Sequence, residues 1–295
     1  MKLHVINSGN FKLDGGAMFS VVPKTLWSKT NPADAANYCN WSTRCLLIED
    51  GNRLILIDNG MGNKQDAKYF SHFYLNGNYS LKKSLASAGF STNDITDMVL
   101  THLHFDHCGG SIQYNKNQSG YETTFKKATY WSHSEHWEWA IKPNAREKAS
   151  FLKENILPIQ ESGQLKWITG IPDFSKNGNE YINNNLLGEN ISILVCRGHT
   201  DAMMIPHVKY KGKTIVFMAD LMPSVGHIPL PYIPSYDTRP LITLSEKDVF
   251  LNLAADQEFI LFLEHDSVNE CCTVQHTERG VRLKETFKLN EYFGR

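Results

Sequence analysis

Hydrophobic positions along the chain fall into short runs, and most of these runs have the length of a β-strand. The runs 44–49 and 53–58 flank Asp50-Gly51-Asn52, and an Asp-Gly dipeptide between two apolar runs predicts a β-hairpin. Similar runs predict further strands at residues 3–7, 94–100, 128–131, 191–195, 214–220, 259–265, 272–275 and 280–283. The pattern therefore predicts a chain that is rich in short strands.

Segments with helical periodicity lie between these strands. Ser80 precedes a short amphipathic segment that Gly89 ends, which predicts a helix. Further helices are predicted at residues 133–141, 145–155, 245–255 and 284–289. Pro158 is expected to end the helix at 145–155, and Ser245 is expected to cap the helix at 245–255. Long loops are predicted in two polar, irregular stretches, at residues 24–40 and 111–126.

Side chains that can bind metal ions follow one of the predicted strands directly. Residues 101–110 read Thr-His-Leu-His-Phe-Asp-His-Cys-Gly-Gly. His102 and His104 are two residues apart, so on an extended backbone they point to the same side and can bind one ion. Asp106 and His107 come after the chain has turned and can serve a second ion close by.

Three later strands repeat this design, because each ends in a residue that can bind a metal. They deliver His199, Asp220 and His265 at their carboxyl ends. A lone histidine is usually a core or surface residue, but this recurrence predicts one shared metal site. Imidazole and carboxylate ligands suit Zn²⁺ well, with iron or manganese as alternatives.

Composition narrows the classes of protein that the sequence can represent. The chain has 295 residues, 41% of them hydrophobic and 21% charged, which is ordinary for a globular protein. The net charge of −1 argues against a nucleic-acid partner. There is neither an apolar run long enough to cross a membrane nor an N-terminal secretory signal, so we expect a cytoplasmic protein without a membrane partner.

The spacing of the first four ligands resembles the His-x-His-x-Asp-His signature of the metallo-β-lactamase fold superfamily. The resemblance implies an α/β fold, a four-layer αββα sandwich, in a single domain that spans residues 1–295. It also implies two ions. One would be held by His102, His104 and His199, the other by Asp106, His107 and His265, with Asp220 bridging both.

A site of this kind implies a hydrolytic mechanism. Two Zn²⁺ ions, or iron, manganese or cobalt in their place, would hold a bridging hydroxide that attacks a carbonyl carbon or a phosphorus. The resemblance gives Asp106 a catalytic role as well, the transfer of a proton to the leaving group. Asp58, at the end of the second hairpin strand, is expected either to orient a metal-bound histidine or to cap a turn.

Two segments, 11–23 and 227–240, are similar to a branch of the superfamily that holds N-acyl homoserine lactone lactonases and methyl parathion hydrolase-like enzymes. This similarity implies a small-molecule substrate, a lactone or related ester. Substrate contacts are expected from Met18, Phe19, Phe105, His227 and Tyr236.

Many of these lactonases carry a tyrosine that steadies the carbonyl oxygen, three residues after the bridging aspartate. Here that position is Pro223, and Tyr236, Tyr232 or His227 could replace the tyrosine. The first alternative is a phosphotriester or phosphodiester hydrolase with the same fold. The second is a non-catalytic, metal-dependent binding module. Relatives are often dimers, so a homodimer is also expected.

Overall fold

The computed structural model describes residues 1–170 and 185–294, and the chain forms two compact units. The first unit comprises Met1–Phe11 and Ser42–Thr169, and the second comprises Lys12–Trp41 and Gly170–Arg295. Throughout the described ranges, every helix is too short or too polar to span a lipid bilayer.

Strands and helices are interspersed along the chain. The strands of the described residues are β1 (Lys2–Asp14), β2 (Tyr38–Asp50), β3 (Arg53–Ile57), β4 (Asp97–Val99), β5 (Ile112–Tyr114), β6 (Tyr121–Thr123), β7 (Thr129–His133), β8 (Leu165–Ile168), β9 (Ile191–Cys196), β10 (Met203–Tyr210), β11 (Lys213–Phe217), β12 (Ile260–Phe262), β13 (Cys271–Thr277) and β14 (Gly280–Phe287). The α-helices within the same described ranges are α1 (Gly15–Phe19), α2 (Lys24–Trp27), α3 (Ala67–Ser71), α4 (Leu81–Ser87), α5 (Phe105–Cys108), α6 (Ser134–Ile141), α7 (Lys153–Glu161), α8 (Pro240–Asp256) and α9 (Leu289–Tyr292).

A six-stranded sheet, in the order β1-β2-β3-β4-β7-β8, forms the framework of the first unit. β2 and β3 form the predicted hairpin, in which Asp50 pairs with Arg53. β3, β4 and β7 run parallel, so their carboxyl ends meet at one edge of the sheet. Leu56, Met98 and Tyr130, one on each of these strands, are fully buried in the core of this unit.

The second unit is built on another six-stranded sheet, in the order β14-β13-β12-β11-β10-β9. β11 and β12 are parallel, and the rings of Phe217 and Phe262 stack at a centroid distance of 5.6 Å. β10 is antiparallel to both β9 and β11, so β9, β11 and β12 all point the same way. Their carboxyl ends therefore lie at the same edge and lead to His199, Asp220 and His265.

One predicted helix boundary is wrong because packing overrides a local signal. Pro158 lies inside α7, which begins at Lys153, instead of ending a helix before it. A proline within a helix removes one backbone hydrogen bond. Burial of Asn155, Ile156 and Ile159 on the inner face keeps the segment helical in spite of that loss.

Other boundaries differ for related reasons. α8 begins at Pro240, which is favourable at the first helical position, so Ser245 lies within the helix and does not cap it. Residues 284–287 continue β14, and 285–287 pair with β13, so the expected helix there is wrong. Both predicted loops contain regular structure, because α2 lies within 24–40 and the β5–β6 hairpin within 111–126.

Candidate metal centre

His102 and His104 lie side by side in the loop after β4. Nε2 of His102 is 3.1 Å from Nδ1 of His104, and both side chains are buried. Two nitrogens bound to one tetrahedral zinc ion would be roughly 3.3 Å apart, so this separation fits two ligands of one ion. The N–H of Leu103, between them, donates to Nε2 of the buried His136 at 2.8 Å, which holds the loop in place.

Asp58 determines which nitrogen carries the proton in two of the histidines. Nδ1 of His107 lies 3.0 Å from Oδ2 of Asp58, and a carboxylate only accepts, so Nδ1 donates and the lone pair is on Nε2. The Thr101 hydroxyl donates to the same Oδ2 at 2.6 Å and therefore accepts from Nδ1 of His102 at 3.2 Å. Nε2 therefore carries the lone pair in both histidines. Of the two roles expected for Asp58, these contacts favour that of an orienting acid.

His104 is oriented by a different acid and through its other nitrogen. Its Nε2 lies 3.4 Å from Oε1 of Glu147, a buried residue between α6 and α7. Nε2 therefore donates, and the lone pair is on Nδ1, the atom that faces His102.

Asp106 and His107 lie in α5, where the chain has turned. Oδ2 of Asp106 is 4.0 Å from Nε2 of His107, and donor atoms of the two residues lie within the spacing that one ion needs. Gly109, which follows α5, allows the backbone there to lie close to the backbone of Met61. A Cβ on Gly109 would lie 2.2 Å from the backbone oxygen of Met61, so only glycine lets the segment that follows Asp58 lie against this turn.

In the second unit, Asp220 presents its two carboxylate oxygens to two different imidazoles. Oδ2 is 3.0 Å from Nε2 of His199, and Oδ1 is 3.0 Å from Nε2 of His265. Nδ1 of His199 donates to Oδ1 of the buried Asp237 at 2.8 Å, so in the neutral ring the lone pair is on Nε2, the nitrogen that faces Asp220. One oxygen for each imidazole is the arrangement expected of a carboxylate that bridges two ions.

The charge around His199 favours a cation. Burial lowers the pKa of His199, but attraction to Asp220 and hydrogen bonds to Asp220 and Asp237 outweigh burial, and the pKa rises to about 10. A position that holds a proton this firmly also favours a metal ion, because both supply the positive charge that the two acids require. The donor types and their orientation therefore fit divalent metal in both units.

Three residues that were predicted to contact substrate are packed against one another in the second unit. The ring of Phe19 is buried and stacks on Trp27 and on His227, at centroid distances of 5.2 and 4.4 Å. Nδ1 of His227 contacts Ser224, and Nε2 contacts the backbone oxygen of Met18. Burial lowers the pKa of His227 to about 3, so the ring is neutral.

The other two predicted contacts are more accessible. Tyr236 is 40% exposed, and Phe105 belongs to an aromatic cluster with Phe73 and Tyr69, whose rings lie 4.7 and 6.0 Å from its own. The Tyr69 hydroxyl is buried and has no hydrogen-bond partner among the residues that the structure describes. Burial, followed by the negative charge of Asp106, raises the pKa of this hydroxyl, so it is a hydrogen-bond donor beside Asp106.

The sequence profile of the Metallo-beta-lactamase superfamily matches residues 40–265, a range that includes all seven predicted ligands. The chain belongs to the metallo-beta-lactamase superfamily. Membership confirms the predicted α/β fold class and makes the protein a metal-dependent hydrolase. It also sets aside the alternative of a non-catalytic binding module.

Solved structures resemble this superfamily member over nearly its whole length. A probable metal-dependent hydrolase from Staphylococcus aureus is 27% identical with a TM-score of 0.83, and the match covers 97% of this chain and 96% of that one. AidC, a dizinc quorum-quenching lactonase in complex with a product, N-hexanoyl-L-homoserine, is 23% identical with a TM-score of 0.73, over 98% and 97% of the two chains. The hydrolase AbOPH is 20% identical with a TM-score of 0.73, over 97% and 94%. A search of curated proteins finds no match.

Sequence reasoning missed three side chains that orient the candidate ligands. They are Thr101, Glu147 and Asp237. Thr101 directly precedes the first histidine, so its position offered a signal. The other two lie far along the chain from the histidines they contact, and no spacing pattern connects them.

Proposed function

We propose that this hydrolase opens a lactone or a related ester at a dinuclear metal centre. The observation that carries the proposal is the carboxylate of Asp220, whose two oxygens each lie 3.0 Å from a different imidazole. A single ion would need only one of these two pairs of an oxygen and an imidazole, whereas two ions that share a bridging carboxylate would use both pairs.

We assign the ligands to two sets that share Asp220. The first ion would be held by His102, His104 and His199, and the second by Asp106, His107 and His265. A single domain over residues 1–295 stays a prediction of the sequence. Nitrogen and carboxylate donors fit zinc best, and the same set also accepts iron, manganese or cobalt.

The side chains of the protein prepare the reaction by orientation and by proton transfer. When bound, the metal pair supplies a water activated for attack and positive charge that polarises the substrate. Asp58, Glu147 and Asp237 hold imidazole rings in the orientation described above. Asp106, almost fully buried in α5, is placed to pass a proton to the leaving oxygen of the substrate.

The surroundings of Asp106 support an ester with an apolar acyl group. The aromatic cluster of Tyr69, Phe73 and Phe105 offers the apolar surface on which an acyl chain would pack. The buried Tyr69 hydroxyl would donate a hydrogen bond to a polar atom of the substrate, which offsets the cost of its burial. AidC, a similar fold, is a lactonase.

Many lactonases have a tyrosine at the position of Pro223, and that tyrosine steadies the carbonyl oxygen. Here we assign this role to Tyr236. His227 is unsuited because both of its ring nitrogens contact groups within the second unit. Tyr232 packs edge-on against Phe19, whereas Tyr236 is more exposed. The rival reaction is hydrolysis of a phosphotriester or phosphodiester, which a two-metal donor set of this kind also supports.

A substrate panel tests this proposal. Zinc-loaded protein is assayed with N-acyl homoserine lactones of increasing chain length, aryl esters and aryl phosphotriesters, and kcat/KM is compared. We expect lactones to rank first and about two zinc ions per chain. His104→Ala should abolish turnover, while His276→Ala, the same change at an exposed histidine, should leave it unchanged. Faster phosphotriester hydrolysis would establish the rival reaction, and full activity of His104→Ala would exclude the metal centre.

A homodimer and a cytoplasmic location stay predictions of the sequence. Sedimentation equilibrium of the purified protein tests the first. Fractionation of the cells that produce it tests the second.

A further inference from the structure

Glu147 is a buried acid that lies outside the family's signature motif. It is 2% exposed and belongs to the segment between α6 and α7 of the first unit. Its backbone N–H donates to Oδ1 of Asn144 at 3.1 Å, which fixes the local chain. The burial of a carboxylate is costly unless hydrogen bonds compensate for the lost water, so the contacts of this side chain indicate its purpose.

The two oxygens of this carboxylate have different partners. Oε2 accepts from Nε1 of Trp139 and from Nδ2 of Asn144, both at 2.7 Å. Oε1 lies 3.4 Å from Nε2 of His104. Two strong donors on one oxygen hold the carboxylate plane in a single orientation, and that orientation directs the other oxygen to the imidazole.

The consequence for His104 is a fixed tautomer. Because Oε1 can only accept, Nε2 of His104 must carry the proton, and the lone pair is then on Nδ1, 3.1 Å from Nε2 of His102. His102, His107 and His199 use the opposite nitrogen, so His104 is the exception among the oriented ligands of the described residues.

We propose that Glu147 is a positioning residue that fixes Nδ1 of His104 as the ligand atom of the first metal ion. The inference rests on the proposed metal centre and adds a residue to it. Glu147 acts through His104 and does not itself touch substrate. Partners of this kind typically change metal affinity by 10–100-fold.

Glu147→Gln is the informative variant, because it keeps the shape of the side chain and reverses one hydrogen bond. Trp139 and Asn144 both donate, so the amide oxygen must face them and the amide NH₂ must face His104. An NH₂ group donates to Nε2 and moves the imidazole proton to Nδ1. The variant therefore places a hydrogen where the metal should bind.

Two measurements follow the tautomer and the metal directly. Long-range ¹H–¹⁵N spectra of the metal-free protein should show the proton of His104 on Nε2 in the original protein and on Nδ1 in Glu147→Gln. Competition with a chromophoric chelator should show two zinc ions in the original protein, one of them bound at least about tenfold more weakly in the variant. The absorption spectrum of the cobalt-loaded protein should change as well.

Asp97→Asn is the matched control. Asp97 is also buried in the first unit and also accepts from a tryptophan indole, Nε1 of Trp131 at 2.8 Å, but it pairs with Arg53 and not with a ligand. We expect this variant to lose thermal stability and keep zinc affinity. Glu147→Asp, which retains an accepting carboxylate, should keep the proton on Nε2. If Glu147→Gln does not fold, Glu147→Ala serves as the test: it removes the acceptor, so the proton of His104 should no longer be held on Nε2 alone and zinc should bind more weakly.

The outcomes separate this inference from the proposed function. Failure of the original protein to bind two zinc ions would refute the metal centre itself. If the original protein binds two ions and Glu147→Gln binds them equally well with the proton still on Nε2, only the role of Glu147 is refuted. A loss of zinc affinity in Asp97→Asn equal to that in Glu147→Gln would also overturn the assignment, since the effect would then be one of general stability.

Discussion

Asp58 accepts a hydrogen bond from Nδ1 of His107 at 3.0 Å, and it does so from an unusual backbone conformation. Its φ of 55° lies in the left-handed region, which is unfavourable for a residue other than glycine. Strain of this kind costs about 1–3 kcal/mol and persists where the surrounding structure requires it. Here it places one carboxylate against both His107 and Thr101, at the edge where β3 and β4 end.

Replacement of this acid should weaken metal binding. We expect Asp58→Ala to reduce the affinity for zinc by about 10–100-fold, because His107 and, through Thr101, His102 lose the partner that fixes their protons. Chelator competition on the purified protein measures the effect. Asp94→Ala is the control. Asp94 lies in an exposed turn, where it accepts a hydrogen bond from the Ser91 hydroxyl, and this variant should bind zinc normally. Equal affinities in the two variants would show that Asp58 only caps a turn.

The close approach at Gly109 predicts a large effect from one methyl group. Gly109→Ala would place a Cβ 2.2 Å from the backbone oxygen of Met61. We expect the free energy of unfolding to fall by about 2 kcal/mol or more, because backbone must move to make room. Gly120→Ala, whose nearest neighbour would be 3.5 Å away, should change it by less than about 0.5 kcal/mol. Urea denaturation of both variants tests the difference, and equal midpoints would contradict it.

His207 makes stability depend on pH away from the metal ligands. It lies on β10, its Nδ1 contacts the backbone oxygen of Ile205 at 3.0 Å, and burial lowers its pKa from 6.5 to about 4. Between these two pH values the unfolded chain binds a proton that the folded protein does not, so stability is fully present above pH 6.5 and falls as the pH drops towards 4. The full shift corresponds to about 3 kcal/mol.

His207→Leu should remove this dependence. The variant lacks the titrating group, so its free energy of unfolding should fall less than that of the original protein between pH 7.5 and pH 4.5. Both proteins are unfolded by urea with a chelator present, since loss of metal at low pH would otherwise contribute. The same loss of stability in both proteins would show that His207 is not the group responsible.

The strand ends that carry the ligand candidates could be predicted because each has a local signal, an apolar run followed by histidine or aspartate. The acids that orient the imidazoles had no such local signal. Glu147 lies in a segment whose pattern predicts a helix, and its contact with His104 joins positions that are distant in the sequence. The wrong prediction of a helix at residues 284–289 has the same origin, because residues 284–287 belong to a strand whose partner is β13. Local periodicity does not encode such long-range pairing.

Each unit contains the acids that orient its own imidazoles, Asp58 and Glu147 in the first and Asp237 in the second. Hydrogen bonds within the protein itself therefore set the direction of the candidate ligand nitrogens. The element recovered with the purified enzyme should accordingly reflect the supply in the cell that produced it, and an emptied preparation should accept a different cation without refolding.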